Sequence, residues 1–107
     1  MTDTTFLLTD HESDFVTRNM GQSMRARLLA FEASAPPGEE LTIDVSGIEA
    51  LTPSFADEFF GRTVLAMGLD HFRKRFRIVG VTEEIKVLIS KVIKIRLAQP
   101  SPSNIVR

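Results

Sequence analysis

Hydrophobic positions along the 107-residue chain change period several times. TFLLT (Thr5 to Thr9) is an apolar run of strand length, and DHESD after it supplies hydroxyls and carboxylates suited to a helix N-terminus. From about Ser13 to Ala33, the residues Val16, Met20, Met24, Leu28 and Phe31 recur at spacings of three and four, which predicts an amphipathic helix. Gly21 within it costs about 0.5 to 1 kcal/mol relative to alanine, and marks either a close approach by a neighbouring element or a tolerated irregularity. ASAPPGEE (Ala33 to Glu40) ends the helix with two prolines and a glycine. LTIDV then alternates as a strand, with Leu41, Ile43 and Val45 on one face.

A second helix is predicted from Pro53 to about Met67, closed by Gly68, and FRIVGV (Phe76 to Val81) reads as a third strand. Thr82 is suited to cap a third helix. Glu83 and Glu84 fall in its first turn and Lys91, Lys94 and Arg96 in its last turns, each sign at the end the helix dipole favours. QPSPSNIVR is a poor helix former and is expected to be loose. The predicted organisation is one domain over residues 1–99 and a tail over 100–107. Strands separated by helix-length connections imply crossovers, so the fold class is α/β: a mainly parallel sheet of three to four strands with three main helices.

Composition narrows the picture less than the pattern does. Hydrophobic content of 43% and charged content of 25% suit one globular domain. Thirteen basic and 14 acidic residues leave a net charge of -1, with no global attraction to nucleic acid or anionic membrane. The absence of cysteine excludes disulfides and thiolate chemistry. MTDTTFLLTD lacks a signal-peptide pattern and no apolar stretch approaches a membrane span, so a cytoplasmic location is expected.

Candidate chemistry is sparse. His11, Ser13 and Asp14 lie side by side in HESD, but a triad is a spatial arrangement, and these residues suit a helix N-terminus better. Two distant histidines without cysteine give no support for a metal site, and the glycines form no phosphate-binding loop, so neither metal nor cofactor is expected. HFRKRFR (His71 to Arg77) interleaves aromatic and basic residues as single-strand nucleic acid binders do. The blander reading sends Phe72 and Phe76 into the core and leaves Arg73, Lys74 and Arg75 on a solvated loop, an alternative surface for nucleic acid or an acidic protein.

The segment IDVSGIEALTPSFADEFFGR (43–62) turns from a strand into a helix through hydroxyl-bearing residues. Thr52 as N-cap with Pro53 at the first helical position satisfies free helix donors. Alternatively Ser54 is the cap and Asp57 its capping-box partner. On either reading Asp57 and Glu58 stand three and four residues from Ser54, where they would repel a phosphate placed on it. In the following helix Phe55, Ala56, Phe59, Phe60 and Val64 spread over about half the circumference, broad enough for a helix wedged between neighbours or for an exposed phenylalanine edge that anchors a partner.

IDVSGIEALTPSF resembles the segment of STAS domains (sulfate transporter and anti-sigma factor antagonist) that reads L-D-L-S-G-V-x-x-I-D-S-S-G. Within that group it is similar to a STAS-like family of unknown function in which S-F-A-D-E-F-x-G recurs, here Ser54 to Gly61; TRNMG (Thr17 to Gly21) and FRIVGV also fit. The resemblance implies a bacterial α/β signalling module that binds a protein partner, often a histidine-kinase-like ATPase that phosphorylates a serine at this corner. Thr52 stands where STAS domains usually carry aspartate, and Pro53 where the phosphorylated serine stands. Only Ser54 matches a serine of the pair, and it is the candidate phosphoacceptor. The expectation is therefore a non-catalytic regulatory interaction module contacting its partner through Thr52, Ser54, Phe55, Asp57, Glu58 and Phe59, with binding through the basic residues 71–77 as the alternative and an enzyme of unrecognised chemistry third.

Overall fold

The computed structural model describes residues 4–11 and 14–98, so Ser13 and the expected tail lie outside the described residues. Strand β1 (Thr5–Leu7) runs into a single 3-10 turn (Leu8–Asp10), and helix α1 (Arg18–Ser34) follows. The helix starts later than the periodicity predicts. Thr17 supplies its cap, accepting from the Met20 N–H at 3.1 Å, while Val16 lies in the extended approach, about half exposed. The approach is held by Phe15, which is buried edge-on against Phe55 at 5.5 Å between ring centroids.

Strands β2 (Leu41–Asp44) and β3 (Phe76–Val79) join β1 in a three-stranded parallel sheet of order β1-β2-β3, as the helix-length connections require. The register places Phe6 beside Ile43 and Ile43 beside Ile78, with Leu41 beside Phe76. These side chains share the sheet face that packs into the core. Thr5, Thr42 and Arg77, then Leu7, Asp44 and Val79, form the opposite face, which is exposed or half-buried. The molecule is thus a two-layer structure with helices on one side.

Between β2 and β3 the chain forms one unbroken central helix in three parts: α2 (Pro53–Ala56), a π-helical turn (Asp57–Gly61) and α3 (Arg62–Met67). Its broad apolar arc has the wedged meaning. Phe55, Ala56, Phe59, Phe60 and Val64 are all fully buried, packed between the sheet, α1 and the last helix, α5 (Glu83–Ala98). Thr82 caps α5 as its sequence position predicts, accepting from the Ile85 N–H at 3.2 Å.

Gly68 (φ +88) breaks the central helix, and α4 (Leu69–Arg75) follows it. This helix replaces the solvated loop read from HFRKRFR and raises the number of main helices from three to four. Leu69 and Phe72 turn one side of α4 toward the core, Asp70 stands in its first turn, and Arg73 to Arg75 stand in its last, so the dipole is complemented at both ends.

Candidate functional site

At the turn from β2 into the central helix, Thr52 and not Ser54 is the cap. Its Oγ1 accepts from the Phe55 N–H at 3.2 Å and donates to the Val16 carbonyl, while its own N–H donates to the Phe15 carbonyl at 3.1 Å. One residue thus starts the helix and ties it to the segment entering α1. Pro53 takes the first helical position, where its missing N–H leaves nothing unbonded.

The π turn comes next. Arg62 N–H reaches back five residues to the Asp57 carbonyl, so the Glu58 carbonyl loses the partner a regular helix would give it. Arg25 of α1 fills that vacancy: its Nη1 donates to the Glu58 carbonyl at 2.9 Å and to Glu58 Oε2 at 3.1 Å. Thr63 Oγ1 donates to the Phe59 carbonyl at 2.6 Å. Gly21 has the close-approach meaning, because a Cβ there would stand 2.8 Å from Glu58 Cβ and 2.9 Å from the Phe55 carbonyl oxygen. Gly61 does the same toward α5, where a Cβ would stand 3.0 Å from Arg96 Cγ.

The two carboxylates of the π turn are the centre of an ionic cluster joining three helices. Asp57 receives Arg96 through two bonds of 2.7 Å and Arg18 through one of 2.8 Å. Glu58 receives Arg25, Arg62 Nε at 3.1 Å and Arg18 Nη1 at 3.3 Å. The hydrogen bonds from Arg96 hold the Asp57 carboxyl down at about 2, against the opposing effect of burial, with Arg18 adding to the depression. The same contacts raise the Arg96 and Arg18 guanidinium values, chiefly through their hydrogen bonds to Asp57.

Beside this cluster lies a cleft of about 320 Å³ lined by Arg18, Pro53, Ser54, Asp57, Val92, Ile95 and Arg96. Ser54 is half-buried, and among the described residues its hydroxyl makes no hydrogen bond. Asp57 is therefore not its capping-box partner; the carboxylate is engaged by arginines instead.

The geometry corrects three expectations about the contact residues. Phe55 and Phe59 are fully buried, so neither offers an edge to a partner; Phe59 stacks with Phe6 at 6.3 Å and meets Phe60 edge-on at 4.7 Å. Glu58 is 8% exposed, and it and Asp57 are saturated by arginine rather than displayed. Of the basic trio, Arg73 and Lys74 are exposed, but Arg75 is buried. Arg75 pairs with Glu32 at 3.1 Å and donates to the carbonyls of Glu32, Pro36 and Glu39, fastening the loop that follows α1. His11, itself exposed, stacks at 4.4 Å on the buried Phe6, and Asp14 is exposed.

Sequence reasoning missed Arg18, Arg25, Arg62 and Arg96 as members of the corner. Two signals were present: Glu58 and Arg62 have the i, i+4 spacing of a helical ion pair, and Arg18 and Arg25 are seven apart, hence on one face of α1.

A three-stranded parallel sheet with a capped corner after its second strand, covered on one face by helices, defines a small α/β domain. The model of the STAS-like domain of unknown function (DUF4325) matches residues 21–86, and the chain belongs to that family. Neither the curated proteins nor the solved structures yielded a match. Among the described residues no helix is long and apolar enough to cross a membrane.

Proposed function

We propose that the protein is a non-catalytic regulatory module that binds a protein partner at the corner where β2 meets the central helix, the partner being a histidine-kinase-like ATPase. The observation that carries this reading is the state of Ser54: a hydroxyl free of hydrogen bonds among the described residues, at a cleft walled by Arg18 and Arg96. The repulsion that Asp57 would exert on a phosphorylated Ser54 is largely offset, because that carboxylate is already neutralised by two guanidinium groups. Arg18 is the more exposed of the two, with 54% of its side chain in solvent and its bonds to Asp57 and Glu58 both made through Nη1, which leaves its other donors for a phosphate on Ser54 in the same cleft.

Affinity capture from the native cell with the full chain tests the reading. The parent chain is expected to recover an ATPase of the histidine-kinase type, and incubation of the pair with ATP to place phosphate on Ser54 and not on Thr52, whose hydroxyl is occupied. Recovery of no such ATPase, by the parent or by Ser54→Ala, overturns the assignment of partner.

A further inference from the structure

Around Asp57 and Glu58 stand four guanidinium groups, those of Arg18, Arg25, Arg62 and Arg96, so two positive charges are left over in a chain whose net charge is -1. The surplus is not spread evenly. Arg25 and Arg96 are mostly covered, whereas the side chains of Arg18 and Arg62 are 54% and 47% exposed. Glu58 Oε1 accepts from both exposed arginines, and Asp57 Oδ2 accepts from both Arg18 and Arg96, so the three guanidinium groups stand in a row, each within two hydrogen-bond lengths of the next. Among the described residues Arg62 is bonded through Nε alone and Arg18 through Nη1 alone. A guanidinium has five N–H donors, so both present unused donors to solvent.

We propose that this row is a docking surface for an acidic segment of a protein partner, two of whose carboxylates pair with Arg18 and Arg62 while a neighbouring apolar side chain enters the cleft on the Arg96 side of Arg18. The inference rests on the reading of the chain as an interaction module and supplies the chemistry of what it binds. Two separate surplus charges, bridged by Glu58, suit two carboxylates better than one phosphate, and forked N–H pairs suit carboxylate geometry. The apolar part of the surface is Ile95, about half exposed, beside Pro53 and Val92 at the cleft. A nucleic acid is the poorer fit, since it demands a longer basic track than a pair of arginines in a weakly acidic chain. The sign of the site is thus the reverse of the one its Asp-Glu pair suggests.

The test is an NMR titration of the full chain with the synthetic peptide Asp-Glu-Leu-Glu-Asp, its all-lysine counterpart Lys-Lys-Leu-Lys-Lys, and inorganic phosphate. The acidic peptide is expected to shift the amides of residues 18, 54, 62 and 95, to bind about tenfold more weakly when salt is raised from about 20 to about 300 mM, and to lose about tenfold with Arg62→Gln. Arg62 is the variant of choice because Glu58 keeps Arg18 and Arg25 without it, and a thermal melt checks that the fold survives. Arg62→Lys should recover only part of the loss, since lysine keeps the charge without the fork. The proposal is overturned if the acidic peptide fails to bind, if Arg62→Gln binds as well as the parent, if the shifts fall at Arg73 and Lys74, or if phosphate or the lysine peptide binds as tightly. Because the titration needs no ATPase, its failure leaves the proposed partner standing, and failure to capture an ATPase leaves the acidic-segment surface standing.

Discussion

At Thr52 a single hydroxyl serves two segments, accepting from the Phe55 N–H and donating to the Val16 carbonyl. Thr52→Ala removes both bonds and is expected to destabilise the protein by about 1 to 2 kcal/mol, toward the upper end of the range for N-caps. Ser54→Ala removes no bond to a described residue and should change stability by less than about 0.5 kcal/mol. Urea melts of the two variants check the ranking. Asp57 gives a pH signature of its own. Its carboxyl is lowered from 3.8 to about 2 in the folded state, so its ion pairs contribute fully above the unfolded value, and the contribution is lost as pH falls through the folded one. The gap in Tm between the parent and Asp57→Asn should be widest near neutral pH and should narrow as pH drops from about 4 toward about 2. A gap independent of pH over that interval would show that packing, not charge, is what the substitution removes.

The π turn is the element on which the helix layer is built, and glycine and arginine admit it for different reasons. Gly21 lets α1 approach until its backbone lies against Glu58 and Phe55. Alanine is the better helix former by about 1 kcal/mol. Gly21→Ala is nevertheless expected to lower Tm, because one of the two close contacts is a backbone oxygen that has nowhere to move. Arg25→Met keeps much of the side-chain volume of α1 but leaves the Glu58 carbonyl without its donor, and should cost about 1 to 3 kcal/mol. Measurement of amide exchange across residues 57–62 would locate the loss in the π turn. None of this widened helix is written in the periodicity of 53–67, since a π turn shifts the apolar face without breaking it. The strands, the Thr82 cap and the Gly68 stop are legible, each being a local signal of apolar run, hydroxyl or glycine, whereas at the central helix the sequence offers Thr52 and Ser54 alike and the contact with Phe15 and Val16 decides for Thr52. Helix α4 hides for a chemical reason: Arg73, Lys74 and Arg75 read as a solvated loop, although Leu69 and Phe72 at i, i+3 and Asp70 in the first turn already had the pattern of a short helix.

Over the whole molecule, what escapes the sequence is pairing across distance. Asp57 and Glu58 look like a displayed acidic patch because the arginines that cover them come mostly from α1 and α5, as many as 40 residues away. Once assembled, the patch has the opposite sign and a structural duty, since it locks α1, the central helix and α5 to one another. Charge reversal of both carboxylates is a test of that duty. Asp57→Lys with Glu58→Lys would gather six cations around the π turn, two of them replacing groups that now accept hydrogen bonds from four arginines. Breaking a buried ion pair by removing one partner costs about 3 to 5 kcal/mol, a large share of the 5 to 15 kcal/mol that holds an ordinary domain folded; the well-covered Arg96–Asp57 pair comes nearest to that case, and the half-exposed Arg18 and Arg62 contribute less. The doubly reversed chain is therefore expected to lose cooperative thermal unfolding at low ionic strength, with partial recovery in high salt as the repulsion is screened. Asp57→Asn with Glu58→Gln, which keeps the shape and removes the charge, should remain folded with a lowered Tm. If the lysine variant instead melts cooperatively at the parent's temperature, the cluster is ornamental to the fold, and the four arginines around it are held there for some purpose other than joining the helices.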